Sequence, residues 1–245
     1  MIKGLILSLQ FFSRIPINVD IEFQEKNIGY SIFFMPLVGA LIGGIGAIIY
    51  NVFYPYNGLV AAFLTLFISI VLTGGLHLDG LSDTLDGFMS GSDRERTIEI
   101  MKDSRIGAFG VMSIVLLILS KFTFIYAMPR SFLPIILSFA NSRLVVSRLI
   151  AYKRNAKEDG LGELFRRSSP RKLVNISTLI YVVILVLINI KYLIPLFMAY
   201  LLGEYVSFIS YKKIDGLTGD VYGAIIELGD LISLLGFFII LILGI

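Results

Sequence analysis

The stretch GGLHLDGLSDTLDGF, residues 74–88, follows directly on a strongly apolar run. It contains His77, the only histidine of the chain, and three aspartates, Asp79, Asp83 and Asp86. Their spacing of i, i+4, i+7 puts all three carboxylates on one stripe of a helix. Bare carboxylates that close together repel, and near a bilayer their desolvation is costly. A divalent cation among them relieves both effects, and oxygen-only ligands point to Mg2+ or Mn2+ rather than zinc. Acidic residues at a helix N-terminus, favoured by its dipole, account for one or two aspartates but not for a full stripe. Gly80 and Gly87 leave room there for a ligand to approach the backbone.

On both sides of this stretch the chain is apolar. Of 245 residues, 56% are hydrophobic and 16% charged. Soluble domains average roughly 45–50% apolar and about 25% charged, so the composition is that of a polytopic membrane protein. The absence of cysteine excludes disulfides, thiolate nucleophiles and Cys-ligated metals. Runs long enough to span a bilayer, about 20 residues each, are expected at 30–54, 59–76, 108–128, 132–152, 173–190, 192–211 and 221–243. Gly39, Gly43, Gly44 and Gly46 in the first form a face of small residues suited to close helix packing. The N-terminal KGLILSLQFFSRIPI is too short for a span and reads as an interfacial or re-entrant helix. The fold class is therefore all-α: a single membrane-embedded bundle of about seven helices.

Basic residues set the expected orientation. Sixteen of the 21 Lys and Arg fall in the N-terminal arm and in the polar connections 80–107, 153–172 and 212–220. The opposite side holds only Arg130 and Lys191. By the positive-inside rule, the N-terminus and all polar connections are cytoplasmic and the C-terminus is external.

A second motif, MKDSRIGAFG, begins at Met101. It sets Lys102, Asp103 and Arg105 beside Gly107 and Gly110 at the start of a span, a grouping suited to phosphate held by Arg and Lys. For Lys102 alone, membrane anchoring accounts for the charge equally well. A third, DGLTGDVYGAIIELGD, ends at Asp230 and puts Asp220 and Glu227 on one helix face. Glu227, Glu204, Arg143 and Arg148 fall within or close to apolar segments, where ionisable groups either serve a site or pair with each other. His77 reads as a general base, a metal ligand or a packed side chain. There is no nucleotide-binding loop and no basic–aromatic nucleic-acid module. These features describe a membrane enzyme that uses Mg2+ for phosphoryl transfer on a large or amphiphilic substrate at the cytoplasmic face.

GGLHLDGLSDTLDGF, KDSRIGAFG and LTGDVYGAIIE, in this order between spans, resemble the cobalamin synthase family, as does the N-terminal LQFFSRIPI. The resemblance covers essentially the whole chain. It implies an integral, Mg2+-dependent transferase of the cytoplasmic membrane. In that reaction a ribose hydroxyl of α-ribazole, or of its 5′-phosphate, attacks the phosphoryl group attached to cobinamide in adenosylcobinamide-GDP, and GMP leaves. On this reading Asp79, Asp83 and Asp86 hold Mg2+ against the pyrophosphate and Asp103 completes the metal shell. Arg105 and Lys102 take up charge on the departing GMP, and His77 or an aspartate accepts the hydroxyl proton. Arg14, Arg143, Asp220 and Glu227 are further candidates for substrate contact. Self-association into a homo-oligomer is left open.

Two other readings compete. CDP-alcohol phosphotransferases carry D-x-x-D-G-x-x-A-R; DTLDG from Asp83 matches its opening, but FMSG follows. An ion-coupled transporter would use Glu204, Glu227 and Arg143 as an intramembrane site, yet the polar groups gather on one side.

Overall fold

The computed structural model describes residues 1–129, 132–157 and 160–244. Arg130, one of the two basic residues expected on the outer side, lies outside them, as do two residues of the 153–172 connection. Among the described residues the ordered elements are helices, with one isolated parallel bridge between Asn155 and Leu217.

The helices in chain order are α1 (Ile2–Phe12), α2 (Glu25–Phe53), α3 (Gly58–Thr73), α4 (Leu76–Met89), α5 (Arg94–Ile100) and α6 (Ala108–Ala127). They continue with α7 (Leu133–Tyr152), α8 (Leu161–Arg167), α9 (Arg171–Ile188), α10 (Leu193–Ile214) and α11 (Gly219–Leu243). Six of them, α2, α6, α7, α9, α10 and α11, are long and apolar enough to cross a membrane. The expected second span is different. It ends at Thr73, and α3 and α4 meet at an angle of 86°. Gly74 and Gly75 make the corner, both left-handed at φ 63° and 71°, a conformation that side chains with a Cβ resist. Counting that bent pair as one span gives seven.

The polar connections are also more ordered than their composition suggests. Most of 80–107 is helical, in α4 and α5, and 153–172 contains α8. Caps mark the ends: Asn57 Oδ1 accepts from the N–H of Leu59 and Val60 at 2.9 and 3.1 Å, and Asp93 Oδ1 from that of Arg96 at 2.9 Å.

The centre of the bundle is α7, 78% of whose apolar window is buried, against 17% for α9 at the periphery. It packs along α2 and α11. Gly39 and Gly43 of α2 lie against the backbone of Phe139 and Ile135 of α7. In lipid, where outward Leu and Phe lose nothing by exposure, such close approach of small residues supplies the packing energy. Leu116, Leu119, Phe63, Leu179 and Leu187 accordingly point outward.

Candidate active site

The turn at Gly74 and Gly75 sends α4 across the end of the bundle, where it packs on α11 and α6. Its inner face buries His77, Leu78, Gly80, Leu81, Ser82 and Thr84. Asp79 is exposed, and Asp83 and Asp86 are half-buried. The helix crosses α11 at two glycines. A Cβ on Gly80 would come within 2.8 Å of the Asp220 carbonyl oxygen, and one on Gly223 within 3.3 Å of the His77 backbone. Gly87 is filled in the same way by Met101. Gly80 and Gly87 therefore admit neighbouring parts of the chain, not a ligand as their sequence context suggested.

This crossing brings Asp220 to the aspartate stripe. Asp83 shows it electrostatically: burial first, then the charges of Asp79, Asp220 and Asp86, push its carboxyl up to about 6. Asp86 has a further task. Its Oδ2 accepts from the N–H of Gly107 at 2.7 Å and its Oδ1 from that of Gly110 at 2.8 Å. It thereby caps the N-terminus of α6 from a different helix, satisfying amides that have no partner within α6. Among the described residues, no three His, Asp or Glu groups converge on one point as a complete metal site. The oxygen-only set of Asp79, Asp83 and Asp220 nevertheless fits Mg2+, which is usually held by one or two carboxylates with substrate phosphates filling the rest.

Asp103 and Arg105 form a separate pair at the rim. Arg105 Nη2 lies 2.6 Å from Asp103 Oδ2, and its Nε donates to the same carboxylate at 3.0 and 3.2 Å. These bonds hold the Asp103 carboxyl down at about 2. Asp103 is thus engaged by a cation and is not gathered with the α4 aspartates. Lys102 and Arg14 are exposed; the Arg14 N–H donates to the Leu72 carbonyl at 2.6 Å beside the Gly74 turn.

Two cavities meet at Gly162, Gly219 and Asp220. One, of about 190 Å3, is lined by Lys102, Asn155, Lys157 and Thr218 among others. The other, of about 270 Å3, runs past His77, Asp79 and Tyr222 between α1, α7 and α8. Glu163 of α8 lines the first cavity; it accepts from Arg166 and Arg167 of its own helix at 2.5 and 2.8 Å and from Asn155, outside the helix, at 3.2 Å.

Arg143 and Glu227 line neither of these two cavities. Lys121 Nζ lies 2.5 Å from Glu227 Oε2 and 3.1 Å from Asp230 Oδ2. Arg143 pairs with Asp230, which also accepts from Ser142 Oγ at 2.5 Å. All four charged side chains are buried, beside a cavity of about 10 Å3, room for a water molecule. The expectation that Arg143 and Glu227 touch substrate finds no open surface at either side chain. Glu204 pairs with Lys153 at 2.6 Å. Sequence reasoning assigned no role to Lys121 or Asp230. The one available signal was the spacing of Glu227 and Asp230, i and i+3 on one helix.

An all-helical chain with six or seven helices long and apolar enough to cross a membrane belongs to the class of polytopic membrane proteins. The chain is a member of the cobalamin-5-phosphate synthase family, whose model matches residues 4–238. Its relatives include proteins named adenosylcobinamide-GDP ribazoletransferase. The one from Treponema denticola is 39% identical, over 94% of this chain and 95% of the relative. One from Clostridium botulinum strain 657 is 37% identical over 96% of each, and that of Caldanaerobacter subterraneus subsp. tengcongensis 39% over 98% and 99%. No solved structure matches the chain. The family is the one that the sequence motifs resemble.

Proposed function

We propose that this chain joins adenosylcobinamide-GDP to α-ribazole, or to its 5′-phosphate, forming adenosylcobalamin or its 5′-phosphate and GMP. The reading rests on family membership together with one observation: the α4–α11 crossing at Gly80 sets Asp220 beside Asp79 and Asp83.

The ribose hydroxyl oxygen forms a new bond to the cobinamide-linked phosphorus. The bond from that phosphorus to the bridging oxygen breaks, and GMP departs with the oxygen and the electron pair. Such a transfer demands positioning and charge neutralisation more than covalent help. Asp79 and Asp83, with Asp220 beside them, would hold Mg2+, which supplies neutralising charge to the pyrophosphate when bound. The carboxylate that remains free of the metal takes the hydroxyl proton. Lys102 and Arg105, on the exposed rim, stabilise charge on the departing GMP. Asp86 orients the start of α6, and so the Lys102–Arg105 segment that precedes it.

The excess of Lys and Arg in the connections that form the cleft favours its cytoplasmic exposure in the cell membrane. A cysteine introduced at Ser92 should resist an impermeant thiol reagent applied to intact cells; labelling from outside would reverse the orientation. The activity is tested by incubating purified protein with adenosylcobinamide-GDP, α-ribazole and Mg2+. Release of GMP with formation of the joined product is expected, and its absence would refute the assignment.

A further inference from the structure

The 270 Å3 cavity differs in character from the cleft it joins. Phe11, Phe12, Val146, Ile150, Phe165 and Ile226 form an apolar wall, and Asp79 and Asp220 line the same cavity. The rings of Phe11 and Phe165 meet edge to face with centroids 5.1 Å apart, and Phe12 reaches Phe165 at 6.2 Å. His77 lines this cavity too. Its side chain is 4% exposed, and its Nε2 has no hydrogen-bond partner among the described residues. A buried imidazole nitrogen without a partner is costly unless a ligand supplies one.

We infer that this pocket receives the heteroaromatic base of the acceptor nucleoside, with its ribose directed at Asp79 and Asp220. The assignment rests on the transferase reading above. The substrates carry three aromatic bases, the adenine and guanine of adenosylcobinamide-GDP and the base of the acceptor, and these differ in their polar edges. Guanine and adenine carry donors and acceptors around their rings, and an apolar wall of three phenylalanines and three aliphatic side chains would leave most of them unpaired. A benzimidazole-type base attached through one ring nitrogen presents a single in-plane acceptor, the other nitrogen, and His77 is the one imidazole in the wall to meet it. The guanosine phosphates are then left to the neighbouring cavity lined by Lys102 and Lys157.

Phe165→Ala and Ile226→Ala test this in the full-length protein, with Leu161→Glu as a third variant. Leu161 lines the same cavity but is 58% exposed, so its substitution leaves the fold intact. Each folded variant should raise KM for α-ribazole by at least about tenfold, while KM for adenosylcobinamide-GDP and inhibition by GMP stay within about twofold. An unmoved KM for α-ribazole in Leu161→Glu and in whichever alanine variants fold would overturn the assignment. A matching loss of GMP inhibition would hand the pocket to guanine and overturn it equally. Wild-type protein that releases no GMP from the two substrates would instead refute the transferase reading itself.

Discussion

Gly107 donates its backbone N–H to Asp86 at 2.7 Å, across a gap of 21 positions in the chain, and this bond docks the start of α6 onto α4. With Gly110 bonded to the second oxygen, Asp86 needs two acceptor atoms. An amide offers one. Asp86→Asn should therefore lower stability by about 1–3 kcal/mol, read as a fall in Tm in detergent without Mg2+. Asp79→Asn and Asp83→Asn should abolish most turnover with Tm unchanged or raised, since they relieve like-charge repulsion. Equal Tm for all three would remove the structural role of Asp86.

The contact between α4 and α11 leaves no room for a side chain at Gly80. Gly80→Ala should push Asp220 away from Asp79 and Asp83 and reduce kcat/KM by at least about tenfold, because small misplacements are costly in transfer reactions. Gly44 of α2 has open space at its Cβ position. Gly44→Ala is the control and should keep full activity.

Lys121 neutralises Glu227 and Asp230 deep in the bundle. Lys121→Met leaves one carboxylate buried without a cation and should cost about 3–5 kcal/mol. Adding Glu227→Gln should recover most of this, since Asp230 keeps Arg143. KM for both substrates should hardly move in the double variant. A large rise there would place the network in substrate binding, as first expected for Arg143 and Glu227.

Arg105 grips Asp103 through Nε and Nη2 together, showing the fork that a phosphate would also accept. Its side chain is 87% exposed, so it matters little for stability. Arg105→Lys keeps the charge and loses the fork. It should lower kcat/KM by at least about tenfold, or roughly 1.4 kcal/mol, at normal expression. Full activity in Arg105→Lys, with failed insertion of Arg105→Ala, would leave only an anchoring role.

Glu163 ties α8 to Asn155, and its bonds to Arg166 and Arg167 within the helix and to Asn155 outside it pull its carboxyl from the ordinary 4.5 to about 2. A carboxyl depressed by folding stabilises the protein fully above its unfolded value, and the contribution fades as pH falls through the folded one. The Tm difference between wild type and Glu163→Gln should be constant from pH 8 to about 5 and close progressively between about 4.5 and 2. A difference that persisted undiminished at the acid end would show that the Glu163 charge, and its pairs with Arg166 and Arg167, do not stabilise the protein.

Hydrophobic run length was enough to place α2, α6, α7, α9, α10 and α11 to within a few residues, because a span must satisfy its backbone internally and can do so only as a helix. The stripe of Asp79, Asp83 and Asp86 was legible for the same local reason: helical periodicity fixes which side chains share a face. The family could be read from three motifs. What each polar group does depended on partners far away in the chain. Lys121 meets Asp230 across 109 positions, and nothing in the period of either helix foretells that pairing. Asp86 shares the stripe of Asp79 and Asp83, but α6 arrives to take its oxygens, while α11 brings Asp220 to the other two. The glycines that permit these crossings look, in sequence, like open space for a ligand. Only the packed bundle shows them filled by neighbouring backbone and side chains, because close approach is a property of two surfaces and a sequence presents one at a time.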